Sequence, residues 1–260
     1  MKKIFFYLFI SFVLLYAKQD KLVDLKVGAT PVPAAEILEF AKPLLAKEGI
    51  NLIVQSFTDY VTPDVALNEG SSDANMYQHK PFLEKMNKDR GMNLVALKPI
   101  YIVPLGFYSK KFKTLDSIKD GSTIALPNDP TNYSRALILL HDNGLIKLKD
   151  STNLNATEFD IVDNPKKFKF HPVDAAMLPK ILDGVDSAVI NANYALQAGM
   201  SIKEAFFYEN NKSIFVNILA TKKGNEKNIN ILKLQEILLG KEVRDFILKK
   251  YNGEIVPISK

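Results

Sequence analysis

Residues 25–57 read LKVGATPVPAAEILEFAKPLLAKEGINLIVQSF, and this stretch decides the fold class. Leu25 to Ala29 reads as a strand. Ile37, Leu38, Ala41, Leu44 and Leu45 then recur on one face of a helix that stops near Gly49, and Leu52 to Phe57 reads as the next strand. Strand, helix and strand at these lengths form a right-handed βαβ unit. The stretch therefore predicts an α/β protein with a largely parallel sheet.

The rhythm continues outward from there. Thr62-Pro63 opens a helix that Gly70 closes, and a strand near Asp73 to Met76, a helix from Pro81 to Arg90 and a strand from Leu94 to Val103 follow. After the bend at Pro104-Leu105-Gly106 a second cycle begins. It has a strand at Thr123 to Leu126 and a helix opened by Asn128-Asp129-Pro130-Thr131. Strands near Phe159 to Val162, Lys169 to Val173 and Ser187 to Ile190 come next, with a helix from Asp174 to Leu182 between the last two. A strand from Ile214 to Ala220 and helices over Asn228 to Leu239 and Lys241 to Tyr251 finish the chain. No Gly/Ser-rich or Pro-rich linker separates the cycles, so two lobes must be joined by strand-like crossings. The expected division is residues 22–103 with 217–260 as one lobe and 108–212 as the other. In open parallel sheets ligands sit beyond the carboxyl ends of the strands, where helix N-termini also gather. That rule selects the loops Thr58 to Pro63, Asp73 to Pro81, Pro127 to Arg135 and Asn191 to Tyr194.

A chain of 260 residues, 47% apolar and 24% charged, can bury a full core. Of its formal net charge of +5, two units belong to Lys2 and Lys3, and the rest is dispersed, which argues against a nucleic-acid partner. Lys2 and Lys3, the apolar run Ile4 to Tyr16 broken only by Ser11, and Ala17 read as a secretory signal peptide over residues 1–17. Leu15 stands where a small residue is preferred, so an uncleaved anchor is the alternative. With no cysteine, the protein holds no disulfide and no lipidated N-terminal cysteine. The expected location is the periplasm.

The search for catalysis is short. No Gly-x-Gly-x-x-Gly, Walker-type loop, Gly-x-Ser-x-Gly elbow or His-Glu-x-x-His is present, and His79, His141 and His171 lack metal-ligand spacing. The chain reads as a binding protein rather than an enzyme, with no catalytic residue, metal or cofactor. Arg135, one turn into a helix, could direct its guanidinium to a ligand carboxylate beside free backbone N–H groups, or pair with Asp129 or Asp142 at the surface. Asn217 interrupts an apolar strand, where a buried amide costs roughly 1–3 kcal/mol unless its hydrogen bonds are met. Asn191 either meets a ligand or caps the following helix. Tyr60, Tyr77 and Phe82 could line an apolar slot or simply pack in the core, with the core favoured for Phe82. His79 could donate a hydrogen bond.

Several segments together resemble the NlpA/MetQ family, the substrate-binding proteins of methionine ABC importers. They are Phe57-Thr58-Asp59-Tyr60-Val61, Asp73-Ala74-Asn75, Gln78-His79-Lys80-Pro81, Pro104 to Ser109, Pro127 to Asn132 with Arg135, Ala188 to Asn191, and Val216-Asn217. They occur in family order over nearly the whole chain after the signal. The resemblance implies a type II periplasmic-binding-protein fold, two α/β lobes with a ligand cleft between them. It implies Arg135 for a ligand carboxylate, Asn191 and Asn217 for the zwitterionic end, and Tyr60, Tyr77 and His79 around the side chain, with Asn75 and Asn132 in the same ligand-binding set. Tyr133-Ser134 precedes Arg135 where the family often has a small residue, usually glycine, immediately before the arginine, so Tyr133 could narrow the slot or change the preferred ligand. The implied function is capture of L-methionine by a monomer that docks on an inner-membrane permease and its ATPase. A methionine-containing dipeptide or another apolar amino acid is the nearest alternative. An adhesin or an enzyme on the same scaffold is the alternative of another class.

Overall fold

The computed structural model describes residues 21–210 and 213–258. The opening stretch forms the unit it predicts: β1 (Val23–Ala29), α1 (Glu36–Ala46) and β2 (Ile50–Ser56), with the two strands parallel and Leu25 beside Leu52. Leu25, Val27, Ile37, Leu38, Ala41, Leu45 and Leu52 are all buried, so the apolar face read from the sequence is the face that packs. Then come α2 (Thr62–Glu69), β3 (Ala74–Asn75), α3 (Lys80–Arg90) and β4 (Leu94–Ile102). Gly70 and Gly91 end the two helices in the left-handed conformation that closes a helix without a Cβ penalty.

At Val103-Pro104 the chain crosses into a second sheet. That part holds β5 (Leu105–Tyr108), β6 (Thr123–Pro127), α4 (Pro130–Asp142), a hairpin of β7 (Lys147–Leu148) and β8 (Ile161–Asp163), and β9 (Lys169–Val173). It continues through α5 (Leu178–Ile181), β10 (Ser187–Asn191), α6 (Ala192–Gln197) and β11 (Phe207–Tyr208). A return crossing leads to β12 (Val216–Lys222), α7 (Ile229–Leu238), α8 (Lys241–Tyr251) and β13 (Val256–Pro257).

The six-stranded sheet runs β13-β4-β12-β3-β1-β2 and the five-stranded sheet β11-β5-β10-β6-β9. Each has a parallel trio, β2-β1-β3 or β9-β6-β10, and beside it an antiparallel strand, β12 or β5. Those two are the strands that follow the crossings. The sheets are thus mixed rather than largely parallel, because a chain arriving from the other sheet enters its new one from the opposite end. Other short elements also differ from expectation: Leu105 and Gly106, expected in a bend, open β5. Phe159 lies in a 3-10 turn ahead of β8 and is almost fully exposed, and the helix expected over Asp174 to Leu182 is a 3-10 turn followed by four residues of α-helix.

Gly106 sits where β5 passes under the segment that leads to β11. A Cβ there would meet Ile202 Cδ1 at 2.7 Å and Tyr108 Cε2 at 2.8 Å. Overpacking of this kind costs about 1–3 kcal/mol. Gly106→Ala should therefore lower the urea midpoint at an unchanged m value; an unaltered midpoint would mean that these neighbours yield without cost.

Candidate functional site

All four loops selected from the sequence meet at one cavity between the sheets. It holds about 300 Å³ of space, part of it open to solvent, and is lined by Tyr60, by Tyr77, Gln78, His79 and Phe82, by Asn132 and Arg135, by Asn191 and Asn193, by Val103 on the outward crossing and by Asn217 on β12. The helices α3 and α4 point their N-termini at it, and each start is held by a side-chain cap. His79 Nδ1 accepts from Phe82 N at 3.2 Å, and Asp129 Oδ1 accepts from Asn132 N at 2.9 Å.

The histidine cap decides a tautomer. With Nδ1 accepting, the proton sits on Nε2, which donates toward Asn132 Oδ1 at 3.3 Å. Burial, and then the nearby Arg135 charge, push the imidazole down to about 3, so it is neutral at physiological pH. The Asn132 amide is oriented from behind, because its Nδ2 donates to Asp129 Oδ1 and Oδ2 at 3.1 and 3.0 Å. Its carbonyl oxygen therefore faces the cavity. Three donors converge on that oxygen: His79 Nε2 at 3.3 Å, Arg135 Nη1 at 3.3 Å and Asn191 Nδ2 at 3.2 Å.

Arg135 is 2% exposed and keeps its charge company with Glu209, not with Asp129 or Asp142 as the sequence suggested. Its Nε donates to Glu209 Oε1 at 2.8 Å, and its Nη2 donates to Glu209 Oε2 and to Val103 O, the latter at 2.8 Å. The face of the guanidinium lies 4.6 Å from the centre of the Phe215 ring.

One wall is aromatic. Tyr60 packs tilted against Tyr77 and Tyr194, at 6.0 and 5.0 Å between ring centres, and meets Phe82 edge-on at 6.0 Å. Their hydroxyls are tied away: Tyr60 Oη donates to Asn193 Oδ1 at 2.6 Å, Tyr77 Oη to Tyr60 O at 2.7 Å and Tyr194 Oη to Thr58 O at 3.1 Å. The rings thus present apolar faces and edges. Phe82 both packs in a core cluster and lines the cavity, so the sequence preference for the core covers half of its role.

Asn191 makes no side-chain cap for α6, which removes that alternative; its Oδ1 is buried without a hydrogen-bond partner. Asn217 donates Nδ2 to Tyr77 O at 2.9 Å, so the hydrogen bonding demanded by its strand position is met in part by backbone. Asn75 does not line the cavity. It stands one layer behind, donating to Asp64 Oδ1 at 2.8 Å. Tyr133 does not narrow the slot either, since it packs against the core beneath α4. Gln78, Asn193, Val103, Glu209 and Phe215 were not identified as site residues from the sequence. Among the described residues no group of three or more His, Cys, Asp or Glu side chains could hold a metal ion.

The model of the NlpA lipoprotein family matches residues 25–259. The D-methionine-binding lipoprotein MetQ of Salmonella typhi is 42% identical over 237 residues, which is 89% of this chain and 87% of that protein. Among solved structures, a nutrient binding protein from Burkholderia cenocepacia bound to methionine superposes with a TM-score of 0.86 at 42% identity, covering 90% of this chain and 99% of that one. A periplasmic substrate-binding protein of an ABC transporter from Coxiella burnetii does so with a TM-score of 0.86 at 38% identity, covering 90% and 100%. The two-lobed periplasmic-binding-protein fold is thereby shown. The location expected from the sequence, free in the periplasm, is overturned by the family and the Salmonella relative, which are lipoproteins and carry a lipidated cysteine. This chain has no cysteine. The signal peptide read at residues 1–17 lies outside the described residues.

Beneath the aromatic wall, Asp64 is fully buried and accepts from Asn75 Nδ2 and from Gln78 Nε2 at 2.5 Å. Burial outweighs these bonds and raises its carboxyl from 3.8 to about 6. The folded state therefore holds this proton more tightly than the unfolded chain does. The resulting stabilisation is full below about pH 4 and is lost as the pH rises through about 6. Asp64→Asn has no such proton to lose, so its stability relative to the parent should rise by about 2–3 kcal/mol between pH 4 and pH 8 in urea titrations. A pH-independent difference would show that Asp64 titrates normally.

Proposed function

Because the chain belongs to the NlpA lipoprotein family, we propose that it captures free methionine, L-methionine in the first place, in the cavity between its lobes and passes it to an ABC importer. The lobes are taken as residues 22–103 with 217–260 and residues 108–212. The observation that carries this reading is the grouping of Arg135 Nη1, His79 Nε2 and Asn191 Nδ2 around Asn132 Oδ1, each at 3.2–3.3 Å, beside an aromatic wall. The Asn132 oxygen takes one hydrogen from each, which leaves a second hydrogen on Arg135 Nη1 and on Asn191 Nδ2 to meet a carboxylate. The partnerless Asn191 Oδ1 and the carbonyl end of Asn217 supply acceptors for an ammonium group.

The charges fit the same guest. His79 is neutral and Arg135 is matched by Glu209, so a guest with balanced charges adds no uncompensated charge to a buried site. A thioether is apolar, polarisable and attracted to aromatic edges, which Tyr60, Tyr77 and Phe82 present. The protein binds and releases without making or breaking a bond, and its partners are a permease in the membrane and the permease's ATPase.

In a thermal-shift panel, methionine should raise the melting temperature more than leucine or a methionine dipeptide does, because a ligand at a hundredfold excess over Kd stabilises by about 2.7 kcal/mol. D-methionine belongs in the panel, since the relatives are named for it. Arg135→Ala should weaken methionine binding by about 30-fold or more by calorimetry, as expected when a desolvated charge loses its partner. No shift with any amino acid would refute the assignment, and an unchanged Kd in the variant would remove Arg135 from it.

A further inference from the structure

A guanidinium has five N–H bonds, and in Arg135 four of them are spent. The Nε hydrogen and one Nη2 hydrogen go to the two carboxylate oxygens of Glu209, the second Nη2 hydrogen to Val103 O, and one Nη1 hydrogen to Asn132 Oδ1. What remains is a single Nη1 hydrogen on the cavity side. Glu209 itself has no freedom to wander. Its Oε2 also accepts from Leu105 N at 2.9 Å, and its own backbone N donates to Leu105 O at 2.9 Å. Its carboxylate is therefore fixed at the first turn of one crossing, and Arg135 is fixed against it. Phe215, on the same return crossing, closes the guanidinium face.

We propose that Glu209 is a positioning residue for ligand capture, one that holds the Arg135 fork side-on so that Nη1 alone is presented to the carboxylate of the guest. Without that hold, the long side chain could turn two N–H bonds elsewhere, and the geometry at Asn132 Oδ1 would be lost. The role depends on the reading of Arg135 as the carboxylate's partner. It differs from a plain structural ion pair in one respect: its effect on binding is confined to guests that carry a carboxylate.

The test compares methionine with methioninamide, which lacks the charged carboxylate, on the full chain by calorimetry. The parent protein should prefer methionine strongly, and Arg135→Ala should abolish that preference. Glu209→Gln should weaken methionine by about tenfold or more while leaving methioninamide nearly unchanged, so that the ratio between the two collapses toward that of Arg135→Ala. Glu209→Asp, which keeps the charge but not the reach, should fall between the parent and Glu209→Gln, and it carries the test alone if Glu209→Gln does not fold. Equal losses for both ligands, or an intact ratio in the Glu209 variants, would overturn the proposal. An intact ratio in Arg135→Ala would instead overturn the underlying assignment of the carboxylate partner.

Discussion

A guanidinium taken out of water must be surrounded by acceptors, and the site is arranged around that constraint. Leaving a buried charge unpaired costs several kcal/mol, about 3–5 in typical cases. Arg135 on α4 is buried, and no acceptor on its own helix is enough to hold it. The chain supplies the rest from both places where it passes between the sheets: Val103 O on the outward crossing, and Glu209 with the Phe215 ring on the return. The crossings have to run side by side for this to happen. Glu209 N to Leu105 O, and Leu105 N to Glu209 Oε2, are the hydrogen bonds that keep them so.

From that fixed point the polar side of the cavity follows in order. Asp129 caps α4 and, with its spare lone pairs, takes the Asn132 amide hydrogens, which leaves the Asn132 carbonyl forward. The same carbonyl then defines where the donors of Arg135, His79 and Asn191 meet. His79 arrives as a donor because α3 needs its other nitrogen as a cap, and it arrives uncharged because burial and Arg135 oppose a second cation there. Local helix-start chemistry thus sets the polarity of a site that only the tertiary fold assembles.

Much of this was legible in the sequence where it depends on local patterns. The apolar spacing from Leu25 to Leu52 gave the first unit, and the rule that ligands sit at strand carboxyl ends selected four loops, each of which reaches the cavity. Strand direction was not legible. Alternation of apolar residues in β12 is the same whichever way the strand runs, and Leu105-Gly106 reads as a bend rather than as the start of β5, so neither antiparallel insertion shows in the sequence. Layering was also hidden: Asn75 and Gln78 are close in sequence, yet one stands behind the wall and the other lines it. Glu209 could not be found by spacing at all. It is 74 residues from Arg135 and follows two short strand residues with no periodicity, and its one trace is a carboxylate placed directly after the apolar run Phe206-Phe207-Tyr208.

The arrangement also sets how binding and shape must be linked. Tyr60 and His79 come from the part of the chain with the six-stranded sheet, and their partners Asn193 and Asn132 come from the part with the five-stranded sheet. Tyr194 reaches back to Thr58 in the other direction. None of these bonds exists unless the two sides are together. A guest that touches Tyr60 and Tyr77 on one side and Arg135 and Asn191 on the other collects its full binding free energy only in that state, so its affinity and its preference for the closed arrangement are one quantity. A guest that reached only one side would leave the equilibrium between arrangements where it was, however tightly it held. Recognition of both ends of a small dipolar molecule is therefore the condition for coupling capture to a change that a membrane partner could detect.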